Sequence, residues 1–179
     1  SVMPTNLYGT DDNFDLQSSH VLPALLRKFH AAKITDSPAV TLWGTGKARR
    51  EFLHVDDMAA ACVFLMEHYE SPEIINIGTG EDITIGELAA IIRRVVGYEG
   101  RLEFDATKPD GTPRKLLDVS RLHGLGGRHR TELADGIAKV YQEVDKSAGA
   151  GNGRKRIRNK PCLVILESPA NSSRLSMRT

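Results

Sequence analysis

The feature that most constrains the fold is an apolar run, EIINIG at residues 73–78, followed directly by a helical pattern. A short, nearly unbroken apolar run is typical of a strand buried on both faces of a parallel sheet. The stretch after it, TIGELAAIIRRVVGY, has Thr84 and Glu87 at capping-box spacing and ends near Gly97. A buried strand leading into a capped helix predicts an α/β fold.

The same alternation continues along the chain. Further helices are predicted at residues 20–33, 56–69 and 131–144. Strands are predicted at 1–9, 39–44, 50–55 and 100–106, with a short strand and a short helix within 116–126. Asp56 and Thr131 are the expected caps of the second and last helices. The expected buried side of the second helix consists of Ala60, Val63, Phe64 and Met66.

Composition predicts a globular chain followed by a different tail. Apolar residues make up 40% and charged residues 26% of 179 residues, and no apolar run is long enough for a membrane span. No signal peptide is visible and there are two cysteines, so we expect a reducing, cytoplasmic setting. Residues 151–179 carry seven Lys and Arg against one acid. We therefore expect a folded unit at 1–146 and a basic, low-order tail at 147–179.

Two turns combine cations with glycine or proline. KPDGTPRKLLDVSRL at 108–122 offers four cations and the acceptors Asp110 and Asp118. It fits either a solvated turn with Asp–Arg pairs or a loop over a diphosphate and sugar. GTGKARREF at 44–52 follows Trp43, which either packs or stacks on a base while Arg50 holds phosphate. Two such turns in one small α/β chain favour an anionic, nucleotide-like ligand.

His20 begins the first predicted helix after a polar loop. It is either a general acid or base, or a helix-start residue that only bonds backbone. The other histidines lack metal-ligand spacing, so no metal is expected. NIGTGED at 76–82 lacks the Lys-Ser/Thr ending of a phosphate loop. The basic run GRKRIRNK lacks interleaved aromatics, so no nucleic-acid partner is expected.

PTNLYG, REFLHVDDMA and NIGTGEDITIGELA together resemble the extended short-chain dehydrogenase/reductases that act on nucleotide sugars. NFDLQSSHVLPALLRKFHAA and KPDGTPRKLLDVSRL more specifically resemble the GDP-L-fucose synthase family. The similarity runs from about Ser1 to Tyr141. It implies the last strands of a Rossmann-type sheet plus the small substrate-binding domain, the C-terminal half of the family.

The resemblance also implies roles. NADPH is the expected cofactor and GDP-4-keto-6-deoxy-D-mannose the expected substrate, in a homodimer without a membrane partner. His20 matches the acid of epimerisation and also the cofactor site. The segment next to the nicotinamide matches Pro4, Thr5, Asn6 and Leu7. The substrate contacts match Lys28, Trp43, Arg50 and Asp110.

Several family features are absent from these 179 residues. They are the Gly-rich loop, the Ser, Tyr and Lys of ketone reduction, and the cysteine that partners the histidine. Gly127 stands where the family typically has Trp, and Glu143–Val144 where it has an aromatic pair. Two hypotheses follow: the chain supplies the GDP-sugar site of a GDP-L-fucose synthase, or it is an inactive fragment that at most binds GDP-sugar or other subunits.

Overall fold

The computed structural model describes residues 1–15 and 18–149, with side chains up to residue 146. Its helices are α1 (Val21–Ile34), α2 (Val55–His68), α3 (Ile85–Val96), α4 (Ser120–Gly124) and α5 (Leu133–Gly149). Its strands are β1 (Val2–Pro4), β2 (Asn6–Tyr8), β3 (Ala39–Trp43), β4 (Arg49–Arg50), β5 (Phe52–His54), β6 (Ile75–Ile77), β7 (Ile83–Thr84), β8 (Arg101–Asp105) and β9 (Arg114–Lys115). The predicted α/β class is confirmed.

Parallel pairing dominates the sheets. β1 pairs with β6, β2 with β5, and β3 with β8, all in parallel. The exception is a three-stranded sheet in which β4 runs parallel to β9 and antiparallel to β7. Because parallel strands need crossover connections, each pair joins segments far apart in sequence.

The strand predicted at the start of the chain is present but divided. Its first half, β1, pairs with β6, and its second half, β2, pairs with β5. At the junction the Thr5 N–H donates to the Ile77 carbonyl at 3.0 Å. The segment from Pro4 to Leu7 therefore passes from one strand pair to the next.

α3 forms where the local sequence predicts it. The Thr84 side chain accepts from the Glu87 N–H at 3.0 Å, and a Glu87 carboxylate oxygen accepts from the Thr84 N–H at 2.7 Å. Gly97 ends the helix with φ 68°, a left-handed conformation that glycine adopts without strain. An N-cap of this kind typically contributes about 1 kcal/mol.

α1, α3 and α5 pack together over β3 around the larger apolar cluster. Its fully buried members include Leu26, Phe29, Leu88, Ile92 and Ile137. The last helix, predicted at 131–144, is present as α5, which begins at Leu133, one residue later than a Thr131 cap implies. It continues to Gly149, past the predicted boundary at residue 146.

α2 differs from its prediction in its cap. The N-cap is His54, whose side chain accepts from the Asp56 N–H at 3.2 Å. The Asp56 carboxylate lies instead 2.6 Å from Nζ of Lys139 on α5. Asp56 is therefore not the cap, because a lysine 83 positions along the chain holds its carboxylate.

The predicted buried side of α2 is wrong for Ala60, Val63 and Met66, which are exposed, whereas Phe64 is partly buried as expected. Val63 is 58% exposed and Met66 is 85% exposed, whereas Leu65 is 5% exposed. Leu65 joins a second, smaller apolar cluster with Leu53, Ile75, Ile77 and Leu122. Helical periodicity identifies an apolar stripe, but it does not say which stripe another element covers.

β6 is buried on one face rather than on two. Ile75 and Ile77 are each 1% exposed in the second cluster. The opposite face carries Asn76, whose Nδ2 donates to the Asp118 carbonyl at 2.9 Å, and Ile74, which is 57% exposed.

No described helix is both long enough and apolar enough to cross a membrane. The tail predicted at 147–179 lies almost wholly outside the described residues, as do GRKRIRNK and Cys162.

Candidate GDP-sugar site

The two basic turns lie side by side, as the sequence argument requires. The Asp110 carboxylate accepts from the Thr45 N–H and from the Thr45 hydroxyl, both at 2.6 Å. Next to this link, Nη1 of Arg50 donates to the Thr112 carbonyl at 2.7 Å. These bonds join residues more than 60 positions apart, so they fix the turn at 44–50 against the turn at 108–115.

Arg50 is the half-buried cation at the junction of the two turns. Its Nη1 donates to two carbonyls, those of Arg49 and Thr112, each at 2.7 Å. Nη2 lies beside the open turn, 3.8 Å from where a Cβ on Gly111 would stand. Since a guanidinium has five N–H donors, Arg50 keeps donors that an anion can accept from.

Two neighbouring cations serve the scaffold instead. Asp82, whose side chain is 4% exposed, accepts from Nε of Arg49 at 2.7 Å and also from Nε of Arg114. The hydrogen bonds from Arg114 and then Arg49 hold the pKa of Asp82 below its ordinary value. Arg121 likewise pairs with Glu73 at 2.7 Å. Of the cations at 108–122, Arg114 therefore forms the Asp–Arg pair of the solvated-turn interpretation, while Arg121 pairs with a glutamate.

Trp43 ends β3 at the rim of the same region and is half-buried. Nζ of Lys108 lies 5.4 Å from the centre of its ring, within cation–π distance. Lys28 on α1 donates to the Thr41 carbonyl of the same strand at 2.9 Å. Four predicted substrate contacts, Lys28, Trp43, Arg50 and Asp110, are thus connected through β3 and the two turns.

His20 is exposed and precedes α1 as its N-cap. Its backbone has the extended conformation of a cap, and its carbonyl accepts from the Ala24 N–H at 3.0 Å. Its side chain makes no capping hydrogen bond. None of the contacts described for His20 links it to Arg50 or Trp43, so the structure does not join it to that cluster.

The segment from Pro4 to Leu7 contacts Glu51, the residue that directly follows Arg50. Nδ2 of Asn6 donates to the Glu51 carbonyl at 2.8 Å, and the Thr5 hydroxyl donates to the same oxygen at 3.3 Å. The predicted cofactor segment and the predicted phosphate contact are therefore separated along this link by a single residue, Glu51.

Glu51 itself was missed by sequence reasoning. Its side chain is 0% exposed, and its carboxylate accepts from the N–H groups of Thr79, Gly80 and Leu117. The glycine-rich turn at 78–80 thus directs its N–H groups at a carboxylate of the same chain, which agrees with rejecting it as a phosphate loop. The available signal was a glutamate within REFLHV, the strand predicted at 50–55.

Tyr8 and His54 are a second pair that the sequence did not single out. Both are 1% exposed, and their rings meet edge to face at 5.3 Å. Within the described residues, the Tyr8 hydroxyl and Nε2 of His54 have no hydrogen-bond partner. Burial raises the pKa of Tyr8. No group of three or more His, Cys, Asp or Glu in the described part of the chain could hold a metal ion.

Comparison with known proteins finds relatives over most of this chain. Residues 1–78 match the NAD dependent epimerase/dehydratase family. GDP-L-fucose synthase 1 of Arabidopsis thaliana is 56% identical over 141 residues, which are 79% of this chain and 44% of that protein. GDP-L-fucose synthase of Escherichia coli K12 is 58% identical over 151 residues, with 79% and 47% covered. The chain therefore spans slightly less than half the length of these relatives.

Solved structures give the same result. A GDP-L-fucose synthetase from Naegleria fowleri, bound to NADP, superposes with a TM-score of 0.77 at 30% identity, covering 83% of this chain and 47% of that one. A GDP-6-OMe-4-keto-L-xylo-heptose reductase from C. jejuni superposes with a TM-score of 0.75 at 37% identity, covering 82% and 53%.

Parallel strands joined by helices match part of the Rossmann-type fold of these epimerases and reductases. Residues 1–78 are thus similar to the NAD dependent epimerase/dehydratase family, and the chain is similar over 79% of its length to GDP-L-fucose synthases.

Proposed function

We propose that this chain supplies the GDP-sugar site of a GDP-L-fucose synthase. That enzyme would convert GDP-4-keto-6-deoxy-D-mannose to GDP-L-fucose by 3,5-epimerisation and NADPH-dependent 4-reduction. The observation that carries the proposal is the junction of the two basic turns, where Arg50 and Asp110 are fixed by Thr112 and Thr45. Identities of 56% and 58% to proteins named GDP-L-fucose synthase support it.

The diphosphate would be bound by the cations that the scaffold leaves available. Arg50 offers Nε and Nη2, while Lys47 and Lys115 are exposed on the same two turns. Trp43, already approached by Lys108 on one side, would contact the base or sugar. Arg49 and Arg114 would set the shape of the site through Asp82 rather than bind the ligand.

The residues from Pro4 to Leu7 fit a cofactor-side segment. The side chains of Thr5 and Asn6 are both directed at the Glu51 carbonyl, so the backbone between β1 and β2 is fixed while Pro4 remains exposed. A fixed segment of this kind suits contact with a flat nicotinamide ring. When bound, NADPH supplies the hydride that reduces the 4-ketone.

His20 would hold and return protons in the epimerisation steps. Carbons next to a ketone are acidic because the carbonyl stabilises the enolate that forms. An imidazole titrates near neutral pH and can protonate such a carbon. The absence of a capping bond leaves the His20 ring available for this role.

A second candidate function is a binding or subunit-interaction module without catalysis. It is favoured by exposed apolar side chains on β1 and α2, including Met3 at 48% and Met66 at 85%. Such a surface suits contact with another polypeptide. We also propose that the intact protein is a cytoplasmic homodimer and that its folded unit ends near residue 146.

Calorimetric titration of GDP, and separately of NADPH, into the purified chain at low salt tests the proposal. We expect GDP to bind and Arg50→Ala to weaken it roughly tenfold, the loss typical of one charge-assisted contact. Arg94→Ala on the exposed side of α3 is the matched control and should bind GDP as the parent does. Absence of GDP binding by the folded chain would contradict the proposal for this chain.

A further inference from the structure

We propose that Glu51 is a positioning residue that fixes Arg50 for anion binding. Oε1 of Glu51 accepts from the N–H groups of Thr79 at 2.7 Å and Gly80 at 2.8 Å, and Oε2 accepts from the Leu117 N–H at 3.0 Å. With a side chain that is 0% exposed, Glu51 itself is out of reach of a ligand. The inference rests on the proposed function of the Arg50 site.

The arrangement requires a carboxylate rather than an amide. Three N–H donors from two separate loops converge on the two oxygens, and a carboxylate accepts at both. A glutamine would place its NH₂ group against at least one of these donors and leave it buried without an acceptor. The turn is also shaped for the carboxylate, because a Cβ on Gly78 would overlap Oε1 of Glu51.

The Leu117 bond fixes the strand on which Arg50 depends. Arg50 pairs in register with Lys115 of β9, two residues before Leu117. Its guanidinium is held by the Thr112 carbonyl, which precedes β9. Glu51 therefore anchors one end of the segment whose other end holds the Arg50 side chain.

The main chain of Glu51 extends this support to the proposed cofactor segment. Its carbonyl accepts from Asn6 and Thr5. One residue thus connects Thr5–Asn6, Arg50 and the 112–117 segment. Removing the carboxylate should change the position of the Arg50 side chain more than the packing of the apolar clusters, since the three N–H donors all lie in loops.

The test is a double-mutant cycle on the full 179-residue chain, with GDP and guanosine as probes. Glu51→Gln should weaken GDP about tenfold and leave guanosine unchanged, as expected when a diphosphate contact is lost. The Arg50→Ala/Glu51→Gln double variant should bind GDP no more weakly than Arg50→Ala, because both changes remove one interaction. Glu67→Gln on exposed α2 is the matched control.

If Glu51 had a purely structural role, the losses of GDP binding free energy in the two single variants would add up in the double variant. Such additivity, or an unchanged GDP affinity in Glu51→Gln, would overturn the proposal. If Glu51→Gln does not fold, Gly78→Ala takes its place, since it displaces the carboxylate and should show the same dependence on Arg50.

If the parent chain binds no GDP, the proposed function fails while the positioning role stays testable. The readout is then the ¹⁵Nε signal of Arg50, assigned with Arg50→Lys. Glu51→Gln should shift it towards the position of a free arginine, and an unchanged signal would overturn the inference.

Discussion

The carboxylate of Asp110 accepts from both the N–H and the hydroxyl of Thr45, at 2.6 Å each. Gly44 lies beneath it with φ 82°, and a Cβ there would overlap Oδ1 of Asp110. The resemblance implied that Asp110 contacts substrate. In this structure both of its oxygens join the two turns, so it acts on the shape of the site.

Asp110→Asn should loosen this link and weaken GDP binding by about threefold to tenfold. An asparagine offers one acceptor oxygen, and its NH₂ group would face a Thr45 donor. Calorimetric titration measures the change. Asp145→Asn on the exposed side of α5 is the matched control, and equal GDP affinities in Asp110→Asn and the parent would contradict the role.

Asp82 should make the stability of the three-stranded sheet of β7, β4 and β9 sensitive to acid. Hydrogen bonds from Arg114 and Arg49 lower its pKa from the ordinary 3.8. A lowered pKa in the folded state means that the ion pairs stabilise the fold fully above about pH 4 and lose this contribution as the pH falls through the lowered pKa. Asp82→Asn should therefore melt at a lower temperature near neutral pH and approach the parent near pH 2.

Thermal melting from pH 2 to pH 7 measures this difference, with Asp145→Asn as the variant that should follow the parent throughout. A constant gap between Asp82→Asn and the parent across that range would show that the carboxylate's charge is not the cause.

Local signals were sufficient for some elements. The capping box of α3 depends on two residues three positions apart, and the C-cap depends on Gly97 alone, which adopts the left-handed conformation. Such contacts are complete within one turn of helix, so the sequence contains everything needed to predict them. Basic turns carrying Arg50 and Asp110 were likewise identified by composition, and the structure brings them together.

Non-local contacts explain the errors. Asp56 has the right residue type for a cap, but Lys139 of α5 takes its carboxylate and His54 takes the cap. For Arg114 the sequence left a diphosphate contact and an Asp–Arg pair open, and the structure shows the pair, with Asp82. Glu51 was missed because its burial depends on N–H groups from two distant loops. In each case the partner lies more than 25 positions away, where periodicity and spacing carry no information.

His20 allows the stability of α1 and the proposed epimerisation role to be tested separately, because its side chain does not cap the helix. Its backbone already has the extended conformation of a cap, but the side chain makes no capping bond. His20→Asn should supply that bond and raise the free energy of unfolding by about 1 kcal/mol. His20→Ala should change it by less than about 0.5 kcal/mol, because the side chain is exposed.

Neither change should affect GDP affinity by more than about twofold. In an intact enzyme containing this segment, both should abolish formation of the epimerised product, because the enolate would lack its proton donor. Urea denaturation and analysis of the product's configuration measure the two effects separately. Full epimerisation by His20→Asn would remove His20 from the mechanism.

The apolar face of α2 should drive self-association of this chain. Val63 and Met66 are 58% and 85% exposed, and Ala59 and Ala60, one turn earlier on α2, are exposed as well. Replacing both with lysine should weaken the association roughly tenfold or more, because the apolar area available for burial falls. The free energy of unfolding should stay within about 0.5 kcal/mol of the parent's, since lysine is a good helix former and both sites face solvent.

Sedimentation velocity over a range of concentrations measures the association. Glu70→Lys raises the net charge by the same two units without removing apolar area, so an equal loss of association in that variant would assign the effect to charge rather than to the apolar face.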